Sequence, residues 1–349
     1  MKRILFIVNG YGLGNSTRIH SIIENLDQKY KIDILGYGNS KEYFKKIPNI
    51  ENLFENSPLE YGLKKGEINT FRTLKKLFQN LKSLYKNRKK IKEILKIHNY
   101  SLIVSDSDFS AIFLRKRPQL ISINNADKIL QSASDIKKRN YFASFLIEYL
   151  DFIYHQLIPD KVISPFFKPL KQKPKIQNVG LMIRKDFLET PIYKPPQKHS
   201  VLITLSGNSS INKDLSIKHE ESLYDLFLIG NSINISGNIK RYNKTFNISQ
   251  LIKKSTLVVT NGGLSSLSEA LALKKPVLVI PVKKHLEQRV NANWIQKNNF
   301  GLISSWENLD FSIKKIINNY SFFKKALIKY ENINGARQAT HFILKEIEK

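Results

Sequence analysis

At 349 residues without a single cysteine and with a formal net charge of +28, the chain is too long for one small domain, and disulfide frameworks and thiolate chemistry are excluded. The charge suggests an anionic partner, but the basic residues are spread along the chain without a zinc-finger, helix-turn-helix or RNA-binding signature, so nucleic acid is not expected. No stretch approaches the roughly 18–20 uninterrupted apolar residues of a membrane-spanning helix, and no signal-peptide pattern opens the chain, so a cytoplasmic location is expected.

The first predicted strand, 4–8, is a continuous apolar run that feeds a glycine-rich loop and a helix whose apolar face includes Ile19, Ile22, Ile23 and Leu26. That order opens a Rossmann-like sheet. Gly10, Gly12 and Gly14 lack the GxGxxG spacing, and the second strand, 32–35, ends in Gly36-Tyr37-Gly38 without the acidic residue a dinucleotide ribose needs. NAD and FAD are therefore not expected. Between 64 and 96, Leu74, Leu77, Phe78, Leu81, Leu84 and Tyr85 recur at helical spacing among Lys75, Lys76, Lys82, Lys86, Arg88, Lys89, Lys90 and Lys92. This face reads first as ordinary domain core and second as a basic helix resting on anionic lipid, which would place the protein peripherally at the inner face of a membrane. The next strand, 102–104, runs into Asp106 and Asp108, at the carboxyl edge where open α/β sheets bind ligands. Either aspartate is equally suited to cap the helix that follows.

Further strands are expected at 120–123 and 162–163, then, beyond Pro- and Lys-rich stretches at 165–174 and 191–196, at 201–205, 225–229, 257–260 and 277–280. Repeated βα units predict two parallel sheets covered by helices. The expected division is a first domain over 1–175, a linker over 176–198, a second domain over 199–332 and a closing helix over 333–349. In the second half, strand 257–260 leads to Asn261, Gly262 and Gly263 and a helix starting near Ser265. Two glycines allow close backbone approach to an anion, and the helix start points amides and dipole at it. Glu269, about one turn further, can accept hydrogen bonds from a ribose diol. The same residues also suit an ordinary capped helix, with Ser265 or Ser266 as N-cap and Glu269 as its capping-box partner. The seven histidines are dispersed without metal-ligand spacing, and neither a metal nor a cofactor is expected.

Gly262, Gly263, Ser268, Glu269, Ala270, Pro276, Pro281, Glu287, Gln288, Asn291 and Ala292 together resemble the donor-binding segment of GT-B glycosyltransferases. More narrowly they resemble the branch that holds the peptidoglycan lipid-intermediate N-acetylglucosaminyltransferase and the family 28 C-terminal-domain proteins. Asn261 stands where many members have His. The first loop is similar to the family's acceptor-side loop at Gly10, Gly12, Gly14, Ser16, Thr17 and Arg18, but Asn15 replaces its His. An amide nitrogen is no general base near neutral pH, so a role of that His does not carry over. Arg184, in 179–185, resembles the family's interdomain Arg, with Leu181 in place of a proline.

The resemblance implies an α/β GT-B fold, with two Rossmann-like domains whose parallel sheets face across a cleft. It implies a metal-independent, inverting hexosyl- or N-acetylhexosaminyltransferase that takes a nucleotide-sugar donor, UDP-linked, and a glycan or lipid-linked acceptor. Gly262, Gly263, Leu264 and Ser265, with Ser209 and Ser210 from the loop 205–210, would hold the diphosphate. Glu269 would hold ribose, and Glu287 with Gln288 the sugar hydroxyls. Gly12, Gly14, Asn15, Arg18 and Arg184 would line the acceptor side. Asp106 or Asp108 is the expected base, with His20 behind them. Two competing readings remain: a nucleotide-sugar hydrolase on the same fold, and a non-catalytic protein that binds sugar nucleotides or polyanions.

Overall fold

Apolar runs that are buried on both faces become the central strands of two parallel sheets. The computed structural model describes all residues except 60–62, 65, 66, 69, 115, 135, 137, 169–172, 189–197, 206–215, 219–223, 230–233, 237, 238, 243–247, 332 and 333. The chain divides into one unit of 1–64, 68–184 and 333–349 and another of 65–67 and 185–332.

In the first unit, β1 (Arg3–Val8), β2 (Lys31–Gly36), β3 (Asn52–Glu55), β4 (Leu102–Asp106), β5 (Gln119–Ile123), β6 (Lys161–Pro165) and β7 (Ile176–Val179) form a seven-stranded sheet. Its order is β3-β2-β1-β4-β5-β6-β7, and every neighbouring pair is parallel. The order reverses between β1 and β4, which makes their carboxyl ends the switch point where such sheets place ligands. Parallel neighbours require crossovers, supplied here by α1 (Gly14–Ile23), α2 (Gly38–Phe44), α3 (Thr70–Ile97), α4 (Ala126–Ser132) and α5 (Phe142–Leu157). Ile91 and Ile94 of α3 pack with Leu5, Ile7, Ile103 and Leu120 in one buried cluster.

The basic stretch does form a helix, but its apolar positions are not all core. Leu81 is 45% and Tyr85 65% exposed, whereas Ile91 and Ile94, further along, are buried. The side chains of Leu74, Leu77 and Phe78 lie outside the described residues. Helical spacing establishes that a helix is amphipathic without naming what covers its apolar face, and among the described residues the sheet covers Ile91 and Ile94 of the later turns.

The second unit repeats the plan with β8 (His199–Thr204), β9 (Tyr224–Ile229), β10 (Ile239–Tyr242), β11 (Leu257–Thr260), β12 (Val277–Val279) and β13 (Gly301–Ile303), ordered β10-β9-β8-β11-β12-β13. Its helices are α6 (Ser249–Lys254), α7 (Leu264–Ala272), α8 (Leu286–Lys297), α9 (Leu309–Asn318) and α10 (Tyr320–Lys329). Val201, Ile203, Leu257, Val259, Leu278, Ile313 and Ile316 form the core beneath α9.

The last helix, α11 (Gly335–Glu348), belongs to the first unit. Asn334 caps it, accepting from the Ala336 and Arg337 amides. The Gly335 amide donates to the Leu181 carbonyl at 2.9 Å, and Gln338 accepts from the Gly180 amide at 2.9 Å. The strand β7 lies within the stretch read from sequence as linker, and the division between the units falls after Arg184. Four residues with polar Gln177 and Asn178 at their centre offer no apolar run by which to recognise that edge strand.

Candidate functional site

In the second unit the site begins where β11 ends. Gly262 has φ +88°, and a Cβ there would sit 2.8 Å from Val279 Cγ1 and 3.1 Å from the Gln288 carbonyl, so only glycine allows α8 to press on the turn. Asn291 pins the turn from α8 by donating Nδ2 to the Gly262 carbonyl at 3.0 Å. Ser266 locks it from α7, with its hydroxyl 2.8 Å from Thr260 Oγ1 and 2.9 Å from the Gly263 carbonyl it donates to.

Gly263 is the N-cap of α7 and, being glycine, makes no side-chain capping bond of its own. This removes the capping-box alternative: Ser265 and Ser266 lie inside the helix, and Glu269 is in its second turn and buried. What remains is a rigid glycine turn whose first helical amides, at Leu264 and Ser265, carry the positive end of the dipole. Asn261 is buried, and its Nδ2 finds no hydrogen-bond partner among the described residues.

Glu287 and Gln288, read from sequence as a loop pair ahead of a helix, stand in the first turn of α8 behind the N-cap His285. Gln288 Oε1 accepts from the Val282 amide at 2.9 Å, which fixes the polar loop after β12. Burial lowers His285 to about 4, so at neutral pH no imidazolium opposes the helix dipole. Ser209 and Ser210 lie outside the described residues.

In the first unit the corresponding edge gathers Asn9, Asn15, Arg18, Asp106 and Asp108. A Cβ at Gly10 would fall 1.6 Å from the Tyr37 carbonyl oxygen, so this glycine is required by the loop that crosses it. Asn9 organises the turn: its Oδ1 accepts from the Tyr11 amide and the Tyr37 hydroxyl, both at 2.9 Å, and its Nδ2 donates to the Ser107 carbonyl at 2.9 Å. Gly12 has open space where a Cβ would stand, and Gly14 opens α1.

Arg18 is buried and grips Asp106 with both arms of its guanidinium, Nε donating to Oδ2 at 2.8 Å and Nη2 to Oδ1. The same Nη2 donates to Asn15 Oδ1 at 3.0 Å. Both oxygens of Asp106 are thereby engaged. Asp108, also buried, accepts from the Ser110 amide at Oδ1, 2.8 Å, and from Asn56 Nδ2 at Oδ2, a long 3.4 Å. Burial raises its carboxyl above the usual carboxylate range, against the lowering effect of the Ser110 and Asn56 hydrogen bonds.

His20 is not at this edge. It lies further down α1, its Nδ1 2.7 Å from the Tyr43 hydroxyl, and Tyr43 in turn accepts from Arg184 Nη1 at 3.4 Å. Burial first and the Arg184 charge second hold His20 at about 4. Sequence reasoning passed over Asn124 and Asn125, which follow β5 on the same edge. Asn124, just before the N-cap of α4, accepts from the Ala126 amide and donates to Asp151 Oδ2, both at 2.7 Å. Their place at the carboxyl end of a parallel strand was the available signal.

The two low histidine values set a pH dependence. Against an ordinary 6.5, both His20 and His285 hold their protons less well when folded, so between pH 6.5 and 4 the unfolded chain binds more protons. Stability is therefore full above that window and falls on acidification through it, by up to about 3 kcal/mol per histidine. Asp108, with its raised carboxyl, works in the opposite sense at the acid end. Thermal unfolding measured across this range should fall with pH, and His20→Gln should flatten the fall; an unchanged profile in that variant would contradict a buried neutral His20.

Among the described residues, no group of three or more His, Cys, Asp or Glu could hold a metal ion, and no helix is long and apolar enough to cross a membrane.

Comparison with known proteins places this geometry. The profile of glycosyl transferase family 1 matches residues 2–320. An uncharacterized glycosyltransferase of Methanopyrus kandleri is 23% identical, over 72% of this chain and 77% of that one. A UDP-N-acetylglucosamine–N-acetylmuramyl-(pentapeptide) pyrophosphoryl-undecaprenol N-acetylglucosamine transferase of Streptococcus thermophilus is 29% identical over 50% of this chain, and the match spans 46% of that enzyme. Among solved structures, a UDP-glucosyltransferase from Polygonum tinctorium superposes with TM-score 0.66 at 12% identity, over 100% of this chain and 99% of that one. The glycotransferase of kitacinnamycin does so with TM-score 0.61 at 12% identity, over 99% and 98%. The architecture of two parallel sheets is thus the GT-B fold. With nearly the whole chain matched by the family profile, the protein belongs to glycosyl transferase family 1 and is a glycosyltransferase.

Proposed function

We propose that this glycosyltransferase takes a UDP-sugar, transfers a hexosyl or N-acetylhexosaminyl group with inversion, and needs no metal for the step. The observation that carries the reading is the pinned turn at Gly262 and Gly263, where a glycine opens the helix and its first amides form an anion seat. Amides at Leu264 and Ser265 with the α7 dipole stabilise the departing diphosphate, Glu269 holds ribose, and Glu287 with the amide nitrogen of Gln288 holds sugar hydroxyls. The acceptor is a glycan or a lipid-linked saccharide; the Streptococcus thermophilus relative is named for an undecaprenol-linked one.

Of the three base candidates, Asp108 fits best. Asp106 is locked to Arg18, and His20 lies down its helix beside Tyr43. Asp108 combines a raised carboxyl with an Oδ2 that Asn56 holds at a long 3.4 Å, a contact that an acceptor hydroxyl can replace. That hydroxyl oxygen attacks the anomeric carbon as its proton passes to Asp108 Oδ2. The bond from that carbon to the diphosphate oxygen breaks, leaving an inverted glycoside and a nucleoside diphosphate.

The donor site is tested by thermal shift with UDP-, GDP-, dTDP- and CMP-sugars. A UDP-sugar at a hundredfold its Kd should stabilise the folded chain by about 2.7 kcal/mol, and Glu269→Ala should abolish most of that shift. A full shift in the variant removes Glu269 from the donor site, and no shift with any donor in wild type defeats the reading.

A further inference from the structure

The helix α5 carries an apolar stripe that the first unit leaves uncovered. Phe142 is 67% exposed, Leu146 43%, Tyr149 47%, Leu150 57% and Leu157 72%. With the half-buried Ile153 they occupy an arc of about 100° on the helix, at 3.6 residues per turn. Ser144, Tyr154 and His155 point the other way, into the unit. No carboxylate falls within this arc: Glu148 lies outside it on the helix, and Asp151 is turned inward, with Oδ2 on Asn124 and Oδ1 3.1 Å from His155 Nε2.

The charge on the neighbouring helix is basic. The helix α3 joins α5 around the single-turn helix Ser110–Phe113, through Asn87 donating to Ser110 Oγ on one side and the Phe109–Tyr154 ring contact at 4.8 Å on the other. It shows exposed Leu81 and Tyr85 among exposed Lys82, Lys86 and Lys89.

We propose that α5 is a docking surface for an anionic lipid bilayer, lying in the headgroup plane with the stripe toward the acyl chains and the flanking cations on the phosphates. A second copy of the chain is the weaker occupant, because each copy brings a net charge of +28 and the same basic flank to a self-contact. The surface moves the lipid contact from the basic helix singled out in the sequence to α5, where the apolar side chains are the more exposed. It extends the reading of a lipid-linked acceptor, and rests on that reading only for its purpose.

The test is flotation of the full chain with vesicles of pure phosphatidylcholine and of equimolar phosphatidylcholine and phosphatidylglycerol. Wild type should float with the anionic vesicles and be released by salt. Leu146→Ser with Leu150→Ser should weaken partitioning by about tenfold or more, since both side chains are at the lipid face and neither is in the core. The UDP-sugar thermal shift of that double variant should equal wild type, which separates failure of the surface from failure of the donor site. No binding by wild type, or equal binding by the variant, overturns the proposal. So does a wild-type dimer that the variant converts to monomer, which would make the stripe a contact between copies.

Discussion

Replacing Asp108 with Asn should lower turnover by about 10²–10⁴-fold while leaving the UDP-sugar thermal shift intact, the range expected when a positioned general base is removed. The substitution preserves the local fold. Asn Oδ1 can still accept from the Ser110 amide that Asp108 Oδ1 now holds at 2.8 Å. On the other side, Asn56 has a buried Oδ1 without a partner among the described residues, so a flip of its carboxamide accepts from the new amide. What disappears is the basic oxygen. The raised Asp108 carboxyl also predicts that the acidic limb of kcat/KM in wild type lies above the usual carboxylate range and is lost with the residual activity of the variant. Turnover within tenfold of wild type would put the base elsewhere, and loss of the donor shift together with turnover would mean that Asp108 supports structure rather than chemistry.

The residues that read clearly in the sequence are those whose physical signal is local. β1, β4 and β11 are apolar runs buried on both faces, and the glycine turn after β11 announces itself because only glycine takes φ +88° against α8. In the two large sheets, the strands that escaped are the edges: β3 (NLFE), β7 (IQNV), β10 (IKRY) and β13 (GLI). Edge strands are short and half polar, so they lack the run that marks a central strand. The site was legible as a set of positions but not as a set of partners. Asn291 was recognised by resemblance, while its bond to the Gly262 carbonyl comes from the packing of α8 on the turn. Arg18 and Asp106 were assigned separately, to acceptor and catalysis, because 88 residues separate them and only the parallel pairing of β1 with β4 brings them together.

That pair carries the second large effect. Asp106→Ala should destabilise the first unit by about 3–5 kcal/mol, because it removes the carboxylate that a buried guanidinium grips through two nitrogens and leaves it the neutral Asn15 oxygen in that place. Arg18→Met should cost a comparable amount by leaving the Asp106 carboxylate buried. The double variant Arg18→Met/Asp106→Ala should cost much less than the sum, since two apolar side chains need no counter-charge. Urea unfolding of the four proteins measures the cycle, read on the transition that shifts, because a chain of two units need not unfold in one step. A cost under about 1 kcal/mol for Asp106→Ala would show a solvated pair of surface type and would return Asp106 to the list of bases. The consequence for catalysis follows from position. Arg18 bonds Asn15 and Asp106 at once, and the Asn9 amide donates to the Asp106 carbonyl at 3.2 Å, so the pair ties the loop after β1 to the loop after β4. Breaking it should loosen the acceptor-side loop and lower kcat/KM even in protein that remains folded, while the second unit, which holds the Gly262–Gly263 turn, keeps its UDP-sugar shift.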